Sequence, residues 1–185
     1  IRGNTLRGGR YGIHFMYCNN ADIDSNLFTD NSIGVFLMYS DNLHIPHNIF
    51  QHNRGPSGYG LGFKDNDGAI VENNLFLDNR VGIFIDNSPF SPYSAGLFKN
   101  NELNFNDIGV AFLPATRGNT FTDNSFGENQ EQVAIQGGGT IHGNFWSQNG
   151  RGNYWGEYAD RGYDANGDGI GDVPYESDRL FENLM

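Results

Sequence analysis

The sequence predicts an all-β chain wound into a right-handed parallel β-helix of about seven coils, closed by an aromatic, Asp/Gly-rich C-terminal cap. Three observations carry that prediction. An asparagine recurs with a second Asn or a Gly five residues on, and usually a Gly three residues after that: Asn4-Gly9-Gly12, Asn26-Asn31-Gly34, Asn48-Asn53, Asn74-Asn79-Gly82, Asn101-Asn106-Gly109, Asn124-Asn129 and Asn144-Asn149-Gly152. The leading asparagines are 22, 22, 26, 27, 23 and 20 residues apart, a period that belongs to stacked like units. Each unit also holds apolar pairs spaced by two, the period of a strand, and no stretch keeps a helical 3.6-residue apolar period for three turns.

The inward pairs expected along the chain are Ile13/Phe15, Val35/Leu37, Leu61/Phe63, Ile83/Ile85, Val110/Phe112 and Val133/Ile135. A second apolar pair follows the leading Asn: Leu27-Phe28, Ile49-Phe50, Leu75-Phe76 and, more loosely, Leu103 and Phe105. Strands so short, with so little chain between them, coil more readily than they form hairpins, and each coil climbs one strand spacing of roughly 4.8 Å. Asparagine suits the bends because it tolerates left-handed backbone and its amide can bond the Asn above and below; glycine serves bends that need positive φ. The longer intervals locate insertions at Arg54-Gly55-Pro56-Ser57-Gly58 and Ser88-Pro89-Phe90-Ser91-Pro92-Tyr93, either contact loops on a functional face or simply tolerated insertions.

Two regions follow: the coiled body at 1–144 and a capping segment at 145–185. In the second, Trp146, Tyr154, Trp155, Tyr158 and Tyr163 break the repeat and supply apolar area to cover an open core end. Ile1 already lies in repeat register, so the chain reads as the C-terminal part of a longer solenoid whose targeting segment lies elsewhere.

Composition removes several function classes. A net charge of −11 and a pI near 4.6 oppose nucleic-acid and anionic-membrane binding. One cysteine, Cys18, rules out an internal disulfide framework, and no apolar run reaches the ~20 residues of a membrane span.

Two constellations point to metals. Asp164, Asn166, Asp168 and Asp172, with Gly169 at the sixth position, match the first part of a calcium loop, but Tyr175 stands where the closing Glu belongs. Structural calcium and a metal-free Asx-rich turn both fit. The other constellation comes from aligning Gly12-Ile13-His14-Phe15-Met16-Tyr17-Cys18 on Gly34-Val35-Phe36-Leu37-Met38-Tyr39-Ser40. With Ile13/Phe15 and Val35/Leu37 inside, His14, Met16, Cys18, Phe36 and Met38 face out, Met16 and Met38 become stacked neighbours, and Gly62 leaves room beside them. Apart from Met185 these are the only methionines. Thioether with imidazole suits Cu(I); the same side chains would also make a small apolar patch under a loop or at an interface.

The remaining polar groups are more ordinary. His44 is expected outward beside Leu43 and Ile45, and His47 and His52 flank the corner residues Asn48 and Asn53 as solvated loop histidines. Lys64 and Asp86 occupy equivalent outward positions, which predicts a cross-coil ion pair rather than a catalytic set.

Arg10-Tyr11-Gly12-Ile13-His14-Phe15-Met16-Tyr17-Cys18-Asn19, Leu37-Met38-Tyr39-Ser40, and the tail Gly152-Asn153-Tyr154-Trp155 with Asp164-Ala165-Asn166-Gly167-Asp168-Gly169 resemble the NosD family. These are periplasmic β-helix proteins of nitrous oxide reductase maturation. The Asn/Gly ladder is common to carbohydrate-related β-helices and not specific; the Met-Tyr segments are more so. The resemblance implies a non-enzymatic periplasmic protein that works with an ABC-type ATPase and permease. It also implies a copper chaperone lipoprotein as donor and transient copper(I) destined for nitrous oxide reductase. A carbohydrate-binding or carbohydrate-cleaving β-helix is the competing expectation, to be told apart by an aromatic platform with a carboxylate pair in one groove.

Overall fold

The computed structural model describes residues 1–139 and 142–156, and every regular element among them is a β-strand. A typical coil lays down three strands, as in Leu27–Thr29, Ile33–Met38 and Leu43–Pro46. Equivalent strands of successive coils pair in parallel, giving sheets of seven, six and five strands around one core. The chain is therefore a three-sided parallel β-helix, with about six coils where the repeat count suggested seven.

Period-two alternation builds the core. On the seven-stranded sheet the inward column runs Leu6, Phe28, Phe50, Phe76, Leu103, Phe126 and Trp155. The Phe28–Phe50 and Phe50–Phe76 ring centroids lie 5.0 and 4.7 Å apart, close to the rise of one coil. On the six-stranded sheet Ile13, Val35, Leu61, Ile83 and Val110 are buried in register, as expected. Val133 and Ile135 are only half-buried, on a strand that forms the edge of that sheet among the described residues. Phe105 departs from expectation: at φ 57° it sits at a corner, largely exposed.

The asparagine ladders are present, but their logic differs from the expectation. Asn4, Asn26, Asn48, Asn74, Asn101, Asn124 and Asn153 bond side chain to side chain up one corner. Asn31, Asn53, Asn79, Asn106 and Asn129 do so up the next. Left-handed backbone falls on the residue before most rungs instead: Ser25, His47, Asn73, Asn100 and Asp123 on the first corner, Asp30, His52, Asp78 and Phe105 on the second. The rung's amide can then point inward while its neighbour makes the turn. Asn144 is not the seventh rung; it stacks on Asn119 at the third corner, and Asn153, 29 residues past Asn124, takes the rung. The 20-residue spacing to Asn144 matched the period without matching the register.

The recurring glycine also serves space, not positive φ. A Cβ at Gly60 would lie 2.7 Å from the Gly82 carbonyl oxygen and 3.2 Å from Phe50 Cβ, so only hydrogen fits where the corner meets the next coil. At the far end Trp146 stacks on Phe121 at 4.8 Å and Trp155 on Phe126 at 4.3 Å, both packed against the core, whereas Tyr154 stays exposed. Tyr158 and Tyr163 lie outside the described residues.

Candidate metal-binding face

Strands Tyr11–Met16 and Ile33–Met38 lie side by side, with His14 opposite Phe36 and Met16 opposite Met38. Because Ile13, Val35 and Leu37 are inside, these four side chains stand on the outer face. His14 Nε2 is 3.4 Å from Met38 Sδ, and Met16 is 47% exposed beside them. In one tautomer Nε2 donates its N–H toward the sulfur; with the proton on Nδ1 it turns a lone pair into the same space. Among the described residues no group of three His, Cys, Asp or Glu could hold a metal ion, so a metal held there would have to draw on thioether sulfur.

The surroundings correct two details. Gly62 lies opposite Phe36, not beside the methionines, and the Phe36 ring covers it: a Cβ at Gly62 would meet Phe36 Cε2 at 2.7 Å. The third-coil neighbour of Met38 is Lys64. Its ammonium bonds Asp86 at 2.8 Å, the cross-coil pair expected, and the carboxylate raises the lysine's pKa. The cation next to the sulfurs is thus paired away from them.

Cys18 lies past the corner, half-buried, on the far side of Tyr17. Its backbone N–H donates to the Ser40 hydroxyl and its thiol lies 3.6 Å from the Met16 carbonyl oxygen. The structure thus gathers His14, Met16 and Met38 on one face and leaves Cys18 round the corner. Asp164, Asn166, Asp168 and Asp172 fall outside the described residues.

Two features escaped the sequence reading. Tyr17 and Tyr39 stack at 5.1 Å with φ of 58° and 50°, a costly backbone for bulky residues, where the next coils place Asp65 and Asn87. The repeated Met-Tyr dipeptide was the available signal. The other is an aromatic bracket about the imidazole: Tyr11 stacks on His14 at 4.7 Å, and Phe36 lies 6.2 Å away. Both insertions border this sheet. Arg54–Gly58 leads into strand Tyr59–Lys64, and Ser88–Tyr93 follows strand Val81–Asp86 with Phe90 and Tyr93 exposed.

Three of the other histidines face carboxylates. His44 lies 2.7 Å from Glu72 and 3.1 Å from Asp22, His47 lies 3.4 Å from Asp24, and His52 lies 2.8 Å from Asp78.

Comparison with known proteins places the chain in a family. A family model described as "Periplasmic copper-binding protein (NosD)" matches residues 1–160. A Stutzerimonas stutzeri protein named "Probable ABC transporter binding protein NosD" is 34% identical over 87 residues, 47% of this chain and 19% of that protein. A Pseudomonas aeruginosa protein of the same name is 33% identical over 78 residues, 42% of this chain and 17% of its own length. The matched stretch thus covers less than a fifth of either curated relative.

Proposed function

The chain belongs to the NosD family of periplasmic copper-binding proteins, and on that premise we propose that its six-stranded face carries a Cu(I) transfer site made of His14, Met16 and Met38. The observation that carries this reading is the 3.4 Å approach of His14 Nε2 to Met38 Sδ across two coils, with Met16 in register beside it. His14 Nε2 and Met38 Sδ would hold the ion, with Met16 beside them as a third ligand. Two sulfurs and one imidazole favour a soft monovalent ion over hard cations. The site is exposed and incompletely wrapped, which suits transient holding and handover. Cys18, whose thiol lies 3.6 Å from the Met16 carbonyl oxygen, would be a helper rather than a member of the set.

The proposed setting follows from the family and from the curated relatives' names, which tie them to ABC transporters. The chain would work beside an ABC ATPase and permease in the periplasm, receive copper from a chaperone lipoprotein and supply nitrous oxide reductase. A non-enzymatic role is supported by the outward carboxylates Asp78, Asp86, Asp107 and Glu72, all held in ion pairs. The carbohydrate reading finds less support, because the outer rings of the six-stranded sheet stack on one another. Tyr59 and Phe84 lie 4.3 Å apart within 2° of parallel, presenting edges rather than faces to a sugar.

The test is a Cu(I) titration against a competing chelator, on wild type and on Met16→Leu/Met38→Leu. Leucine keeps volume and apolar character while removing both sulfurs. The expected result is one Cu(I) retained by wild type and none by the variant at equal thermal stability; equal retention by both overturns the assignment.

A further inference from the structure

Resting on that copper reading, we infer that Tyr11 and Phe36 are positioning residues for the His14 imidazole, and that Gly62 is kept bare so that Phe36 can serve. His14 is exposed, so on its own it would sample several rotamers. It is instead stacked on Tyr11, with centroids 4.7 Å apart and planes at 22°, while Phe36 stands 6.2 Å from the imidazole and 6.4 Å from Tyr11. The Arg10 guanidinium carbon lies 5.2 Å from the Tyr11 centroid and adds a cation–ring contact to the stack. Held in this bracket, the ring presents Nε2 to Met38 Sδ rather than to bulk water.

The geometry explains a sequence choice that the metal alone does not. Phe36 follows the pairing column His14–Phe36–Gly62 and leans over the third coil, where even a methyl group would collide with it. Pushing Phe36 back would drive it toward His14. Phe36 and Gly62 offer no side-chain donor atom to a metal, and Tyr11 is stacked on the imidazole. They act through the imidazole, by ordering before the ion arrives a side chain that would otherwise be ordered on binding.

The test uses Tyr11→Ala, Tyr11→Phe and Gly62→Ala, with two readouts. In the metal-free protein, a nuclear Overhauser contact between the His14 ring and the Met38 methyl is expected in wild type and Tyr11→Phe, and lost in Tyr11→Ala. In chelator competition, Tyr11→Ala and Gly62→Ala should hold Cu(I) roughly fivefold to tenfold more weakly, with Tyr11→Phe within about twofold of wild type. If Tyr11→Ala keeps both the contact and the affinity, or Tyr11→Phe fails as badly as Tyr11→Ala, the inference falls and the copper site stands. If the Met16→Leu/Met38→Leu protein retains copper as wild type does, the copper reading itself fails. The Overhauser contact then decides whether the bracket orients His14 at all.

Discussion

Asp22, His44 and Glu72 come from three successive coils and meet at one imidazole. The Glu72 hydrogen bond, assisted by Asp22 and opposed by partial burial, raises the His44 pKa. The His44 and Lys99 bonds lower that of Glu72. A raised histidine pKa gives stability that is fully present below its ordinary value of 6.5 and lost as pH rises through the folded value. A lowered carboxyl pKa gives stability present above the ordinary 4.5 and lost as pH falls through the folded value. The pair is therefore strongest between those limits, though His44, at 42% side-chain exposure, is partly screened by solvent. The melting temperature should drop from about pH 6 to about pH 8 in wild type, and His44→Gln should flatten that slope. A slope unchanged by the substitution would mean that other groups carry it. The sequence placed His44 outward but named no partner for it; its partners are 22 and 28 residues away, and only the coil register shows that they share its face.

At the scale of the element, the ladders are continuous hydrogen-bonded columns, and Asn53 shows why each rung matters. Its carbonyl accepts from the Asn31 backbone N–H at 3.1 Å and the Asn31 amide at 3.2 Å; its amide donates to Asn79 at 2.9 Å and to the Phe28 carbonyl at 3.2 Å. All of this happens in a fully buried residue. Replacing Asn53 with Ala strands several of those partners, each costing about 1–3 kcal/mol. A drop of about 2–4 kcal/mol in unfolding free energy is expected from a urea melt. A change below about 0.5 kcal/mol at Asn53 would show that water replaces the lost amide. The repeat announced these residues, but it could not tell rung from turn. Ladder asparagines and their left-handed predecessors are adjacent in sequence, and only backbone geometry separates them.

Across the whole molecule, each coil contacts mainly the coils before and after it, so the core is one continuous column. Damage in the middle should therefore uncouple both halves. Ile83 is 1% exposed at the centre of the six-stranded sheet, and Ile83→Asp would bury a carboxylate with no partner, at several kcal/mol. Loss of the strand signal in circular dichroism and of cooperative melting is the expected result. A soluble variant that melts like wild type would contradict the central placement. The charge of −11 is distributed outside this column, with Arg2, Arg7, Arg54, Lys64, Lys99 and Arg151 each bound to a carboxylate.

By itself the sequence determined the architecture, the inward columns and the neighbours Met16 and Met38, because a repeat of about one coil and an alternation of two are periodic signals that survive in one dimension. Tertiary structure alone decided which asparagine closes the last coil, that Phe36 fills the space over Gly62, that Cys18 lies past the corner, and that Tyr11 stacks on His14. Those outcomes depend on where coil lengths of 22 to 29 residues bring side chains together and on which rotamer fills a gap of one methyl group. Residue spacing along a chain carries neither quantity.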